Sequence, residues 1–79
     1  MHTTKLVDDL APGDLVWVMG YLYRVIRNRY DPFGNSGSSP RYCYTGNAIK
    51  SPHGTLPPDG YREECNFGAS VGTMVTIEV

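Results

Sequence analysis

The chain has 79 residues, of which 41% are apolar and 19% are charged, and its formal net charge is −1. A chain of this length supplies one hydrophobic core, so we expect a single domain that spans residues 1–79. The near-neutral charge excludes the strong global field of a basic nucleic-acid-binding protein or of an acidic nucleic-acid mimic, and the apolar content excludes a disordered chain.

The first ten residues, MHTTKLVDDL, lack the apolar core of a signal peptide. Nowhere does the sequence hold the run of about 18 apolar residues that a membrane span needs, so we expect a cytoplasmic protein. Residues 1–4 are predicted to be a frayed start. Residues 5–10 are predicted to form either a short edge strand or a single helical turn that leads into Pro12.

A β-hairpin is predicted next, in residues 11–30. Pro12, Gly13 and Asp14 favour a tight turn in which Asp14 hydrogen-bonds nearby amides, and residues 15–19 and 21–26 are rich in strand-forming types. Gly20 between them can take the positive φ of a turn. Both faces of the first strand are apolar, which is typical of a strand inside a small barrel. The polar residues 27–29 are predicted to project beyond the core.

The middle of the chain is predicted to be rich in loops. Residues 31–40, DPFGNSGSSP, favour a mobile or functional loop, and residues 50–60, KSPHGTLPPDG, favour a second long loop without regular structure. Between them, residues 41–45 have strand composition. Gly46 and Asn47 are predicted to form a bulge or turn before Ala48.

Two further strands are predicted towards the C-terminus. Residues 61–67 alternate as a polar edge strand would, and residues 71–79 place valine, threonine or isoleucine at every second position, as in a half-buried closing strand. No helical pattern exceeds two turns. We therefore predict an all-β fold, a small antiparallel barrel of about five strands with two long loops. Its predicted core contains Val16, Val18, Val25, Val75 and Ile77.

The run PGDLVWVMGYLYRVI resembles the opening hairpin of SH3-like barrels, in which a Pro-Gly-Asp turn, a Val-x-Val strand, a Gly turn and a return strand follow one another. The resemblance implies an SH3-like barrel. In its length and loop-rich middle the chain is similar in style to small bacteriophage and prophage proteins, some of which inhibit host defence systems. That likeness implies an accessory protein that binds a host macromolecule, for example a defence complex of the CRISPR–Cas type.

Aromatic and basic side chains are concentrated between residues 21 and 44. Tyrosine and arginine dominate interface hot spots, so we interpret this concentration as the binding surface for a protein partner. A single-stranded nucleic acid or a nucleotide is the alternative ligand, because bases stack on aromatic rings beside cations. The competing structural interpretation is that the tyrosines are half-buried and the arginines form a solvated edge. The predicted surface comprises Arg24, Arg27, Arg29, Tyr30, Phe33, Arg41, Tyr42 and Tyr44.

Cys43, His53 and Cys65 are the residues from which a zinc site or a Cys–His nucleophile would be built. Their spacing lacks the close Cys-x-x-Cys pair of structural zinc sites, and no oxyanion hole or orienting third group is evident. We therefore expect a non-enzymatic protein without metal or cofactor, and a small Cys/His enzyme is the second alternative. In a reducing cytosol the two cysteines are expected to be free thiols.

Overall fold

The computed structural model describes residues 1–34, 39–55 and 64–79, which form an all-β fold, as predicted. No helix in this part of the chain is long and apolar enough to cross a membrane. The elements are β1 (His2–Leu6), a 3₁₀ helix (Val7–Asp9), β2 (Leu15–Val18), β3 (Tyr21–Asp31), β4 (Arg41–Ser51), β5 (Gly54–Thr55), β6 (Glu64–Ser70) and β7 (Met74–Glu78).

All seven strands of the described residues belong to one antiparallel sheet. Six of them follow the order β1-β7-β2-β3-β4-β5, and β6 pairs with β4 alongside β5. Within the described residues no ladder joins β1 to β6, so the sheet is open. The predicted SH3-like barrel of about five strands is therefore not confirmed, because the sheet has more strands and does not close.

The sheet is nevertheless strongly curled. A turn of three residues, 71–73, connects β6 at one end of the sheet to β7, which lies beside β1 at the other end. The amide of Val7 donates to the Thr73 carbonyl at 2.8 Å, and the amide of Gly72 donates to Asp8 Oδ1 at 2.9 Å. Because so short a connection spans both ends, the sheet must bend until they approach each other.

The hydrophobic core lies on the inner face of this curl. Val16, Val25 and Ile77 are buried as predicted, whereas Val18 and Val75 are partly buried and pack against the core. The sequence prediction missed several core members, because their burial depends on strands that are distant in the chain. These members are Val7, Leu10 and Tyr44.

The β2–β3 hairpin has the predicted turn at Gly20, with one difference. Val18 pairs with Tyr21, so the loop consists of Met19 and Gly20 alone, with φ of 50° and 86°. Positive φ at both positions is the signature of a type I′ turn, for which Asn-Gly is the preferred sequence. Met19 is 94% exposed, so no packing offsets the cost of its left-handed backbone.

Met19→Asn is therefore expected to raise the free energy of unfolding by about 0.5–1 kcal/mol, because asparagine tolerates this backbone conformation better. Urea denaturation with an unchanged m-value measures the gain. Met19→Ala is the matched control and should give no gain, since alanine keeps the Cβ that disfavours positive φ. A lower stability for Met19→Asn would contradict the turn assignment.

The β3–β4 pairing corrects three predictions about the middle of the chain. The register shifts leave Ile26 of β3 and Ile49 of β4 as the extra residues, so the predicted bulge or turn at residues 46–47 is wrong. Gly46 continues β4, and a Cβ there would lie 2.9 Å from the Arg24 carbonyl oxygen.

β3 extends to Asp31, so residues 27–29 belong to the sheet and do not project beyond it. β4 and β5 form a hairpin within the predicted loop 50–60, whose residues 56–60 lie outside the described chain.

Three boundary predictions also change. Residues 1–4 are not frayed, because β1 begins at His2 and pairs with β7. Residues 5–10 contain both the end of β1 and a helical turn. The predicted strand 61–67 is found as β6, with residues 61–63 outside the described chain. The closing strand is confirmed as β7, which starts only at Met74 because residues 71–73 form a turn. Residues 35–38 of the predicted loop 31–40 also lie outside the description.

Asp14 closes the turn before β2 as its sequence context predicts. Its Oδ2 accepts hydrogen bonds from the Ala11 amide at 2.9 Å and from Lys5 Nζ at 2.8 Å, and its own amide donates to the Ala11 carbonyl. Partial burial raises the pKa of the Asp14 carboxyl, but these hydrogen bonds and the Lys5 charge outweigh it and hold the pKa below 3.8. The carboxylate therefore stabilises the folded state in its ionised form.

The stability contributed by Asp14 is expected to be fully present above pH 3.8, the ordinary pKa of its carboxyl, and to be lost as the pH falls through the lower folded-state pKa. Asp14→Asn should therefore be less stable than wild type at about pH 6, with the difference shrinking in acid as the wild-type carboxyl becomes neutral. Thermal unfolding across this pH range measures the effect. Asp9→Asn, at an exposed position, is the control. A difference that is constant with pH would contradict the assignment.

Candidate binding surface

The strand register separates the arginines of the predicted surface from its buried tyrosines. Residues directly opposite each other in an antiparallel ladder share a face. Tyr42 and Tyr44 face inward opposite Tyr30 and Asn28, whereas Arg27 and Arg29 lie opposite Thr45 and Cys43 on the outer face. We call the outer face of β3, β4 and β6 the arginine face. By register it comprises Arg24, Arg27, Arg29, Asp31, Arg41, Cys43, Thr45, Asn47, Glu64, Asn66, Gly68 and Ser70.

The two central tyrosines support the sheet from inside. Tyr44 is only 5% exposed, its ring stacks on Phe67 with centroids 5.2 Å apart, and burial raises the pKa of its phenol. Tyr42 is half-buried and packs against the core. The prediction that Tyr44 belongs to a binding surface is therefore wrong, because its side chain fills the core.

A shallow groove lies at the centre of the arginine face. It has a volume of about 290 Å³ and is lined by Arg27, Arg29, Cys43, Thr45 and Asn66. The buried Thr45 hydroxyl donates to Asn66 Oδ1 at 2.7 Å, which fixes the floor of the groove. This bond engages the amide oxygen of Asn66 and leaves its amide nitrogen as a donor. The groove therefore offers donors and positive charge to a ligand.

The arginines of this face are not equivalent. Arg27 Nη2 lies 3.2 Å from Glu64 Oε2, in a pair whose side chains are 56% and 51% exposed. Arg29 is exposed and forms no ion pair with another residue of the described chain. Arg41 is half-buried, and its guanidinium lies against Gly68, in the space that a Cβ would occupy. Arg27 and Arg29 can therefore reach a partner, whereas Arg41 covers the sheet.

Two exposed aromatic side chains lie at the end of β3, and we call them the aromatic end. Tyr30 is 52% exposed, with its ring 5.3 Å from that of Tyr42, and Phe33 is 72% exposed. The Phe33 amide donates to Asp31 Oδ1 at 3.1 Å, which fixes the chain as it leaves the strand. Both rings are therefore exposed, and the register places Tyr30 on the inner side of β3, opposite the arginine face.

The cysteines are free and face opposite sides of the sheet. Cys43 lies on the arginine face, whereas Cys65 pairs with Gly46 on the inner face. His53 lies in the turn between β4 and β5. Within the described ranges, no three His, Cys, Asp or Glu side chains lie close enough together to hold a metal ion. A zinc site built on both cysteines would require them to converge, and the sheet separates them.

No protein-family model, curated protein or solved structure is significantly similar to this chain. What the surface can bind therefore follows from its geometry and charge. The sequence prediction included Arg27 and Arg29 but missed Cys43, Thr45 and Asn66 as groove residues. Alternation within residues 41–45 separates Cys43 and Thr45 from the tyrosines, but only the β4–β6 register brings Asn66 to the same place.

Proposed function

We propose that this protein is a non-enzymatic binding protein that holds a protein partner at the arginine face and the aromatic end. The observation that carries the proposal is the exposure of Tyr30 and Phe33 at the end of the strand that also presents Arg27 and Arg29. Aromatic side chains and arginine supply most of the binding energy in protein interfaces.

A single-stranded nucleic acid is less well supported as the ligand. Such ligands need aromatic rings on which bases stack, next to cations that contact the phosphates. Tyr42 and Tyr44 face the core, and no residue on the arginine face is aromatic; the exposed Tyr30 lies on the opposite face of β3 from Arg27 and Arg29. Because the chain is similar in style to small phage proteins, we expect its partner to be a host protein. Defence complexes such as CRISPR–Cas are the first partners to test.

Alanine at Arg27, Arg29 and Tyr30 together is expected to weaken binding of the partner by at least about tenfold, or about 1.4 kcal/mol. The three side chains are exposed, so the melting temperature should stay within a few degrees of wild type. Capture from a bacterial lysate, with and without nuclease, identifies the partner, and a titration then gives the affinity. The matched control is Tyr21→Ala with Lys50→Ala, which removes an exposed aromatic and an exposed cation at the other end of β3.

Two outcomes would contradict the proposal. Capture that is abolished by nuclease and weakens steeply with salt would identify nucleic acid as the ligand. Binding that survives the triple change and is lost on altering residues 50–60 would place the site at the opposite end of the sheet.

A further inference from the structure

We propose that the groove of the arginine face takes a carboxylate side chain from an acidic segment of the partner, and that Glu64 competes for the same place. This inference rests on the proposed function and names the chemistry of the partner. Arg27 and Arg29 supply the charge, and Asn66 supplies a further donor. The proposed occupant is an extended, acidic stretch of protein.

The spacing of the two arginines fits such a segment. They stand two residues apart on β3 and point to the same side, so their Cα atoms are separated by about 7 Å. Alternate side chains of an extended acidic chain have the same spacing, so two carboxylates can meet two guanidinium groups in one register. The groove volume of about 290 Å³ suits one or two side chains rather than a folded surface.

Glu64 shows that a carboxylate can reach the groove margin. Its Oε2 lies 3.2 Å from Arg27 Nη2, and both side chains are about half exposed. An exposed ion pair of this kind contributes little to stability, so an incoming carboxylate can displace it at small cost. The structure provides no corresponding ion pair for Arg29 within the described chain, and this guanidinium is the first contact for a ligand.

Charge complementarity alone would also admit a phosphate. The face around the groove nevertheless lacks the aromatic rings that would hold the bases of a single-stranded nucleic acid. An acidic protein segment needs no such rings, because its backbone and carboxylates supply the remaining contacts. The observations therefore favour the protein carboxylate.

The two cysteines can report whether the groove is occupied, with Cys43 as the probe and Cys65 as the control. Cys43 lines the groove, whereas Cys65 lies on the opposite face of the sheet. A hexaglutamate peptide is added to the full chain, and alkylation of each thiol by iodoacetamide is followed by mass spectrometry. The peptide should slow alkylation of Cys43 and leave that of Cys65 unchanged. Arg29→Ala should abolish the protection.

Glu64→Gln removes the proposed competitor and keeps the size of the side chain. It should give the same protection of Cys43 at about two- to fivefold lower peptide concentration, as expected for loss of one exposed ion pair. Unchanged peptide dependence in Glu64→Gln would overturn the role of Glu64. Absence of Cys43 protection in both proteins would overturn the groove as a carboxylate site.

An oligothymidylate of equal charge is the second probe. If this oligonucleotide protects Cys43 as well as the peptide does, or better, the choice of a protein carboxylate as the ligand is overturned. If the groove fails these tests while the triple alanine variant still loses its captured partner, the proposed function stands and this inference alone is wrong.

Discussion

Replacing Tyr44 by alanine is expected to lower the free energy of unfolding by about 3–5 kcal/mol, the cost of removing a large aromatic side chain from a core. Tyr44 is 5% exposed and belongs to the buried cluster, and its ring stacks on Phe67. The loss combines transfer of the ring to water with the cavity that remains between β4 and β6. Urea denaturation monitored by circular dichroism measures it.

Tyr30→Ala is the matched control, since this tyrosine is 52% exposed at the end of β3. It should cost less than about 1 kcal/mol, as is usual for surface substitutions. Tyr44→Phe keeps the ring in the core and should remain close to wild type. Similar losses for Tyr44→Ala and Tyr30→Ala would show that the inner face of β4 does not form the core.

Replacing Asn28 by aspartate is expected to cost about 2–4 kcal/mol, because two backbone acceptors lose their donor. Asn28 Nδ2 donates to the Val7 carbonyl at 2.8 Å and to the Leu10 carbonyl at 3.2 Å. Val7 and Leu10 are both buried, so water cannot readily replace the amide. A carboxylate in the same place cannot donate and would face the two carbonyl oxygens.

The control for Asn28 is its neighbour Arg29, which is exposed and lies on the opposite face of the strand. Arg29→Ala should change the denaturation midpoint little. If Asn28→Asp proved as stable as Arg29→Ala, the two hydrogen bonds of Asn28 would not contribute to holding the segment between β1 and β2.

Features determined by neighbouring residues were predictable from the sequence. The turn at Asp14, the hairpin around Gly20 and the alternation of Val75 and Ile77 all depend on contacts or periodicity within a few positions. The role of Asn28 was not predictable, because its partners lie about 20 residues earlier and no local pattern marks a side chain that bonds backbone carbonyls.

Strand irregularity explains the remaining differences in the fold. Simple alternation places Leu22 and Val25 on opposite faces of β3, yet both are buried. The register shifts next to them leave Ile49 of β4 and Ile26 of β3 without a partner. Strict alternation along the strand therefore no longer predicts which side chains are buried there. A propensity pattern does not reveal which residue will be extra.

The candidate surface was predictable in part. Arg27, Arg29 and Phe33 are exposed, although residues 27–29 lie within β3 and do not project beyond the core as predicted. The burial of Tyr44 was missed because alternation in β4 gives two faces but does not say which faces inward. That choice depends on the direction in which the sheet curls, which brings Tyr44 against the core cluster and against Phe67, a residue more than 20 positions away.

The position of β7 has a consequence for how the chain folds. This strand lies between β1 and β2, and it is the only described strand that pairs with β1. His2 pairs with Glu78, so the N-terminal part of the sheet requires closure of a loop almost as long as the chain. Such a topology favours slow folding, on a scale of about milliseconds to seconds. During synthesis, the edges of β1 and β2 that pair with β7 have no partner until β7 leaves the ribosome. In that interval these edges can pair wrongly with other chains.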